Sequence, residues 1–220
     1  MTLAIFDLDN TLIAGDSDHL WGEFLVEQGL VDGEAFKATN DGFYNDYLNG
    51  QLDIYAYQRF VLGVLAQHSL VELAGWHQQF MDEVIRPIML PKAHELIAKH
   101  REQGHYIMII TATNDFITAP IAEAYGVDHL IAVTAERDET GGYTGEVEGT
   151  PSFQDGKITR LNEWLADNPS FTMKGSYFYS DSFNDLPLLR IVDHPIAVNP
   201  DETLAAEAKE KGWEILDLRQ

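Results

Sequence analysis

Two carboxylates separated by a single residue stand at the end of the first apolar run of the chain. The stretch IFDLDNT places Asp7 and Asp9 directly after a run with the length and composition of a buried strand, and a threonine follows them. A bend after the strand would let both side chains reach one centre from different directions. Asp and Asn are also common turn formers, so the spacing alone leaves a purely structural interpretation open.

A second pair of acids follows another apolar run of strand length. The stretch SYFYSDSFNDLP places Asp181 and Asp185 after that run. Four acids at the ends of two parallel strands would repel one another unless a positive charge lay between them. Mg2+ meets this need because it takes oxygen ligands, commonly one or two carboxylates with phosphate oxygens and water, so Asp7 and Asp181 are predicted as direct ligands. A capping role at the start of the next helix is the alternative for Asp181 and Asp185.

Two further stretches offer groups suited to a phosphate. The run YIMIITATN supplies Thr111 and the backbone amide of Ala112, and a hydroxyl beside N–H groups near a helix start is a natural phosphate cradle. In QDGKITRL, Lys157 lies at the head of a predicted helix, where a cation opposes the helix dipole unless a phosphate or acids compensate. A threonine at a strand end and a solvated lysine are both common, so neither residue identifies a site alone.

Apolar runs of strand length alternate with segments of helical spacing along most of the chain. Their near-continuous apolarity indicates strands that are covered on both faces, as in a parallel sheet flanked by helices. The sequence therefore predicts an α/β fold with a doubly wound parallel sheet, in which functional sites lie at the carboxyl ends of the strands. The predicted strands are residues 3–8, 106–111, 129–133, 176–180 and 195–198.

One long interval breaks this alternation. After the first strand the chain runs for roughly 75 residues without a convincing strand, whereas a crossover needs only about a dozen. We therefore predict a core domain formed by residues 1–15 and 87–220 and an inserted α-helical cap formed by residues 16–86. A smaller insertion at 135–149 reads as a β-hairpin, because a Gly-Gly pair lies between short flanks that contain Thr, Tyr and Val. The helices predicted in the cap are residues 17–28, 33–48, 52–66 and 70–85.

The overall charge restricts the classes of partner. Among 220 residues there are 14 Lys and Arg against 36 Asp and Glu, which gives a formal net charge of -22. Such a charge repels phosphate backbones and anionic lipid headgroups, so we expect neither a nucleic acid nor a membrane partner. The chain has no cysteine, which excludes disulfides and thiolate chemistry, and no signal-like or membrane-spanning apolar run, so a cytoplasmic protein is expected.

Taken together and in chain order, these elements resemble a known family. DLDNT, the strand-terminal Thr111, Lys157 at a helix start and SDSFNDLP are similar to the four motifs of the haloacid dehalogenase superfamily of phosphatases, with Ser180 where the last motif commonly has glycine. The resemblance extends over essentially the whole chain. A helical insertion directly after the first motif further resembles subfamily IB, the phosphoserine phosphatase branch.

The resemblance implies a role for each motif residue. Asp7 would be the nucleophile that forms an aspartyl phosphate, and Asp9 the general acid and base. Phosphate-binding would fall to Thr111, Ala112 and Lys157. The metal site would hold Mg2+ through Asp7, the backbone carbonyl of Asp9, and Asp181, with Asp185 supporting them. For Asp9 to begin the reaction protonated, its pKa must be raised, and we expect the neighbouring carboxylates to raise it.

Substrate selectivity is expected to lie in the cap, where acids greatly outnumber bases. Asp16, Asp18 and His19 follow the catalytic turn closely, and the resemblance to the phosphoserine phosphatase branch implies that an arginine of the cap, here Arg59, binds a substrate carboxylate. An acidic, aromatic cap favours a small phosphorylated metabolite that carries a cationic nitrogen. We rank histidinol phosphate first and phosphoserine second, both of which belong to amino-acid biosynthesis, for a protein that is a monomer or a homodimer. The aromatic candidates are Trp21, Phe43, Tyr44, Tyr47, Tyr55 and Tyr57.

Two alternatives stay open at this point. The same chemistry allows a phosphotransferase that passes the aspartyl phosphate to a small alcohol. A receiver-like module that accepts a phosphoryl group without turnover would also contain clustered acids, a threonine and a lysine, although the helical insertion and Asp9 argue against it.

Overall fold

A seven-stranded sheet forms the centre of the protein in the computed structural model, which describes all 220 residues. Its strand order is β4-β3-β2-β1-β5-β6-β7, and every pairing is parallel except that of β3 with β4. This confirms the predicted α/β fold with a parallel sheet. The strands are β1 (Leu3–Phe6), β2 (Tyr106–Asn114), β3 (His129–Arg137), β4 (Tyr143–Glu148), β5 (Tyr177–Ser180), β6 (His194–Val198) and β7 (Glu214–Leu216).

Ten helices accompany the sheet, together with a π-helical turn at Met81–Ile85 and a 3-10 turn at Phe183–Asp185. The first five follow β1 without an intervening strand, as the predicted insertion requires. These are α1 (Ser17–Glu27), α2 (Gly33–Leu48), α3 (Ile54–Leu65), α4 (Leu70–Phe80) and α5 (Arg86–Ile88). The others are α6 (Pro91–Glu102), α7 (Asp115–Tyr125), α8 (Asp155–Asp167), α9 (Leu186–Leu189) and α10 (Glu202–Lys211).

Local sequence signals explain where several helices begin and end. The side chain of Asp16 accepts the first free amides of α1, and Ser69 and Glu72 form a reciprocal capping box at the start of α4. Asn114 caps α7, which ends at Gly126 in the left-handed conformation that glycine adopts without strain. The bounds of the helices therefore follow the punctuation of the sequence closely.

The two ends of the insertion lie side by side. Ala14 donates its backbone N–H to the carbonyl of Ile88 at 2.8 Å, and Ile13 forms an antiparallel bridge with Met89. The apolar side chains of the inserted helices are continuous with the core on one face of the sheet, where the Trp21 ring lies 5.3 Å from that of Phe116 in α7. A separate apolar cluster covers the opposite face. The domain bounds themselves stay a prediction.

The structure differs from the predicted elements at several places. β2 continues three residues past Thr111, β7 is an additional strand, and the last predicted cap helix ends in the π-helical turn. β7 escaped prediction because it is only three residues long and largely exposed. The predicted hairpin is present as β3 and β4. No helix combines the length and the apolar composition needed to cross a membrane.

Candidate active site

Three neighbouring strands deliver the predicted catalytic residues to one edge of the sheet. β1 pairs in parallel with both β2 and β5, so their carboxyl ends meet. The amide of Asp7 donates to the carbonyl of Tyr179 at 2.8 Å, which continues the ladder by one residue and fixes the Asp7 backbone. Thr111 lies in β2, and Asp181 directly follows β5.

A buried lysine links two of the acids. Lys157 Nζ lies 2.7 Å from Asp7 Oδ1 and 2.8 Å from Asp185 Oδ2. Burial alone would lower the pKa of Lys157, but the charges of Asp185 and Asp7 raise it above its usual range, so the lysine stays protonated. Burial raises the pKa of Asp7 to about 7, an effect that the charge of Lys157 opposes. Asp185, expected to support the metal ligands, thus holds the lysine that contacts Asp7.

Thr11 connects the remaining acid to this pair. Its hydroxyl lies 3.3 Å from Asp7 Oδ2 and 3.1 Å from Asp181 Oδ1, and it accepts the backbone N–H of Asp181 at 3.1 Å. Burial, followed by the charges of Asp7 and Asp185, raises the pKa of Asp181 well above its usual range. Asp181 has no cation within ion-pair distance. The carboxylates of Asp7, Asp181 and Asp185 are therefore accompanied by a single positive charge, that of Lys157.

The donor set fits a Mg2+ ion. No three His, Cys, Asp or Glu side chains form a complete metal cluster, but Mg2+ needs only one or two carboxylates when substrate phosphate and water supply the other ligands. Asp7 and Asp181 are joined through the Thr11 hydroxyl, and the negative charge of Asp181 is unbalanced. A divalent cation between these two carboxylates would relieve the repulsion that raises the Asp181 pKa.

The second carboxylate of the first motif has a different environment. Asp9 Oδ1 accepts the backbone N–H of Ser17 at 2.6 Å, while Oδ2 accepts the hydroxyl of Thr113 at 2.8 Å and that of Thr111 at 3.4 Å. The pKa of Asp9 is raised to about 6. Burial is the largest cause and the Asp16 carboxylate comes next, which corrects our expectation that neighbouring carboxylates would be the main cause.

A strained turn places Lys157 beneath this edge. Gln154 has a positive φ of 48°, and its side-chain amide donates to Asn184 Oδ1 at 2.9 Å. Ser152 donates its hydroxyl to the carbonyl of Thr111 at 2.6 Å, which ties the turn to β2. Gly156 is required because a Cβ there would overlap the carbonyl oxygen of Pro151. The turn therefore sets the start of α8 and the direction of its buried lysine.

A pocket lies between these residues and the inserted helices. Ala112 lines it beside Thr111, but the continuation of β2 places this amide within a strand end and not at the start of a helix. Asp16, Asp18 and His19, which were predicted to determine substrate selectivity, also line this pocket. The His19 ring stacks on the Tyr44 ring, with the two ring centres 4.5 Å apart. The other lining residues of the inserted segment are Phe43, Tyr47, Leu52, Ile54 and Tyr57.

Arg59 is not part of this pocket, which corrects its prediction as a substrate ligand. Its side chain is 55% exposed, and its Nε pairs with Glu146 of β4 at 2.9 Å. Arg59 shares a face of α3 with Gly63, and that face packs closely on Gly145 of β4, so the guanidinium points away from the site. Two aromatic candidates are also elsewhere, since Trp21 is in the core and Tyr55 is exposed.

Several site residues were missed by sequence reasoning. Thr11 belongs to the quoted DLDNT stretch, so its role was detectable locally. Thr113 was detectable only if β2 was known to extend past Thr111. Gln58 of α3, whose Nε2 donates to the carbonyl of Ala112 at 3.3 Å, carries no local signal because the sequence alone does not say which face of α3 meets β2.

A parallel sheet of this order, with paired carboxylates after its central strand and a buried lysine beside them, defines a haloacid dehalogenase-like hydrolase. The model of this family matches residues 4–190, and the chain belongs to the family. Its relatives that carry phosphatase names identify it more narrowly as an enzyme of the phosphatase type.

Individual relatives give a more detailed comparison. A histidinol-phosphatase of Neisseria meningitidis serogroup C (strain 8013) is 49% identical over 220 residues, covering 99% of each chain. Phosphoserine phosphatase SerB1 of Mycobacterium tuberculosis (strain ATCC 25618 / H37Rv) is 32% identical, covering 98% of this chain and 70% of its own.

Solved structures show the same fold. A protein of unknown function from Bordetella pertussis Tohama I has a TM-score of 0.92 at 46% identity, covering 99% of this chain and 100% of that one. A substrate-bound phosphoserine phosphatase complex has a TM-score of 0.72 and covers 99% of this chain and 95% of that one. At 18% identity, this second likeness bears on the fold alone.

Proposed function

We propose that this phosphatase is a Mg2+-dependent phosphomonoester hydrolase that acts through an aspartyl phosphate on a small metabolite with a cationic nitrogen. Histidinol phosphate is the first candidate substrate and phosphoserine the second. The proposed partner is thus a small molecule, since the net charge of -22 disfavours nucleic acids and anionic membranes.

The residues of the site divide the chemistry between them. Asp7 attacks phosphorus and forms the covalent intermediate, and Lys157 and the Thr111 hydroxyl hold the phosphoryl oxygens. Asp9 donates its proton to the leaving oxygen and then accepts a proton from the water that hydrolyses the intermediate. A Mg2+ ion held by Asp7, the Asp9 carbonyl and Asp181 would neutralise charge on the transferring group.

The proposed substrate class rests on one observation, the imbalance of charge in the pocket. Asp16 and Asp18 line the pocket, and its one Lys or Arg is Lys157, which is engaged by Asp7 and Asp185. With Arg59 turned away, no lysine or arginine of the pocket is free to bind a substrate carboxylate.

This imbalance favours histidinol phosphate over phosphoserine. Phosphoserine would bring a carboxylate against the two aspartates, whereas histidinol phosphate brings an amine and an imidazole and no carboxylate. The aromatic rings of Phe43, Tyr44 and Tyr57 offer faces for the imidazole. The 49% identity to a histidinol-phosphatase supports the same ranking.

The test is the release of free phosphate from histidinol phosphate, phosphoserine and uncharged phosphomonoesters, with Mg2+ and with EDTA. We expect turnover only with Mg2+, highest for histidinol phosphate, and a loss of about a thousandfold or more in Asp7→Asn. Adding a small alcohol and measuring the alkyl phosphate formed detects transfer in place of hydrolysis. Turnover by Asp7→Asn at the native rate, or a preference for phosphoserine, would contradict the proposal.

A further inference from the structure

Two buried acceptor atoms, one on Asp18, which lines the pocket, and one on Gln58, which contacts Asp18, have no hydrogen-bond partner. Asp18 of α1 is 4% exposed and Gln58 of α3 is completely buried. Asp18 Oδ1 and Gln58 Oε1 are both unpaired. Buried polar atoms are almost always hydrogen-bonded, so orphan acceptors on two neighbouring side chains call for a donor from outside the chain.

The contacts of Gln58 define which atom is the free acceptor. Its Nε2 donates to the carbonyl of Ala112 at 3.3 Å and lies 3.5 Å from Asp18 Oδ2. Both neighbours of this atom are acceptors, which assigns it as the amide nitrogen and leaves Oε1 without a donor. Gln58 thereby joins Asp18 to the strand end that carries Thr111.

The two acids of this wall are not equivalent. Asp16 Oδ1 accepts the backbone N–H groups of Asp18 and His19 at 3.1 and 2.9 Å, so the amino end of α1 balances part of its charge. Asp18 has no backbone donor and no cation within ion-pair distance. A buried carboxylate without a countercharge is costly, and a cationic ligand removes that cost.

Asp18 lines the same pocket as Asp7 and Asp9. The preceding residue, Ser17, donates its N–H to the Asp9 carboxylate at 2.6 Å, and Ala112, the neighbour of Thr111, accepts from Gln58 at 3.3 Å. A group bound to Asp18 would thus belong to the leaving alcohol of a phosphate held at Asp7.

We propose that Asp18 and Gln58 form a binding subsite for a protonated N–H group of the leaving alcohol, an ammonium or imidazolium, and that Asp18 determines the preference for cationic substrates. This inference rests on the proposed function. A bound cation would donate one hydrogen bond to Asp18 Oδ1 and one to Gln58 Oε1. A neutral or anionic leaving group would leave both acceptors unpaired.

The test compares kcat/KM for L-histidinol phosphate with kcat/KM for phenyl phosphate, which is a similar size and has no cationic group. Losing one charge-assisted hydrogen bond should lower this ratio by about 10- to 100-fold in Asp18→Asn and by about 3- to 10-fold in Gln58→Met. Asp46→Asn makes the same change of charge on the exposed side of α2 and should leave the ratio at the wild-type value. Equal losses for both substrates in Asp18→Asn, or an unchanged ratio, would overturn the subsite.

A binding measurement separates this inference from the proposed function. L-histidinol, which lacks the phosphate, should inhibit the hydrolysis of phenyl phosphate competitively, and its inhibition constant should rise by about 10-fold or more in Asp18→Asn. If the wild-type enzyme prefers phenyl phosphate but this inhibition behaves as expected, the proposed substrate is wrong and the subsite stands. If histidinol phosphate is preferred and the variant binds L-histidinol as the wild type does, the subsite is wrong.

Discussion

At the residue scale, the protonation of Asp9 links the geometry of the site to the rate. Asp9 is half-buried with the Asp16 carboxylate nearby, and its pKa is raised to about 6. A group that donates a proton to the leaving oxygen must be protonated beforehand, and its protonated fraction falls as pH rises through its pKa. The value of kcat/KM is therefore expected to decline on the alkaline side of this pKa.

The Asp16→Asn variant tests which carboxylate influences Asp9. Removing a negative neighbour makes the ionised form of Asp9 easier to reach, so we expect the alkaline limb of the kcat/KM profile to move to lower pH by about half a unit to one unit. Asn retains the helix cap that Asp16 provides. Ionisation of the substrate phosphate affects the kcat/KM profiles of the wild type and the variant equally, so it cancels in the comparison. If the alkaline limb of the variant stays in place or moves to higher pH, Asp9 is not the acid.

At the scale of elements, the turn before α8 determines whether Lys157 reaches the site. Lys157 is 3% exposed and spans two acids, a position that depends on the close approach of Gly156 to Pro151. Any side chain at residue 156 must push the turn or the start of α8 outward. A small displacement there is enough to break the contact at 2.7 Å between Lys157 Nζ and Asp7 Oδ1.

Gly156→Ala tests this dependence. We expect a loss of about 2–3 kcal/mol in the free energy of unfolding, because the added Cβ meets backbone that cannot move cheaply, and at least a tenfold loss of kcat. The matched control is Gly75→Ala in α4, where the added Cβ meets no atom within 4 Å. That change should stabilise the protein by about 0.5–1 kcal/mol through helix propensity and leave kcat at the wild-type value. Urea unfolding and phosphate release measure both, and native behaviour of Gly156→Ala would contradict the role assigned to the turn.

At the scale of the whole molecule, the net charge of -22 opposes the compact state. The acids outnumber the bases more than twofold, and mutual repulsion is larger in the folded protein than in the expanded chain. A surface ion pair such as that of Arg86 with Asp82 offsets little of this repulsion because both side chains are largely exposed.

Salt is therefore expected to stabilise the metal-free protein. Raising NaCl from about 10 to 200 mM shortens the screening length from about 30 Å to below 10 Å. We expect a gain of about 1 kcal/mol, seen as a rise of roughly 2–4 °C in Tm by calorimetry in EDTA. At about pH 4.5, where Asp and Glu lose much of their charge, the rise should largely disappear. A Tm that falls with salt at neutral pH would contradict this account.

Much of this protein could be predicted from the sequence because the relevant signals are local. Apolar runs predicted the five longer parallel-sheet strands, and capping residues such as Asn114 and Gly126 marked the ends of helices. The carboxylates Asp7 and Asp181 follow strands, and parallel strands bring their carboxyl ends to one edge, so their proximity followed from the fold class.

Only the tertiary structure decided how the inserted helices face the site. Arg59 and Gln58 are adjacent in the sequence, yet α3 turns one toward Glu146 and the other toward Ala112 and Asp18. That orientation arises from the packing of α3 on β4, which lies about eighty residues further along the chain. Local spacing specifies which side chains share a helix face, but contacts between distant segments decide what that face meets. The predicted catalytic carboxylates and the acidic character of the cap were therefore readable from the sequence, whereas the position of Arg59 outside the pocket was not.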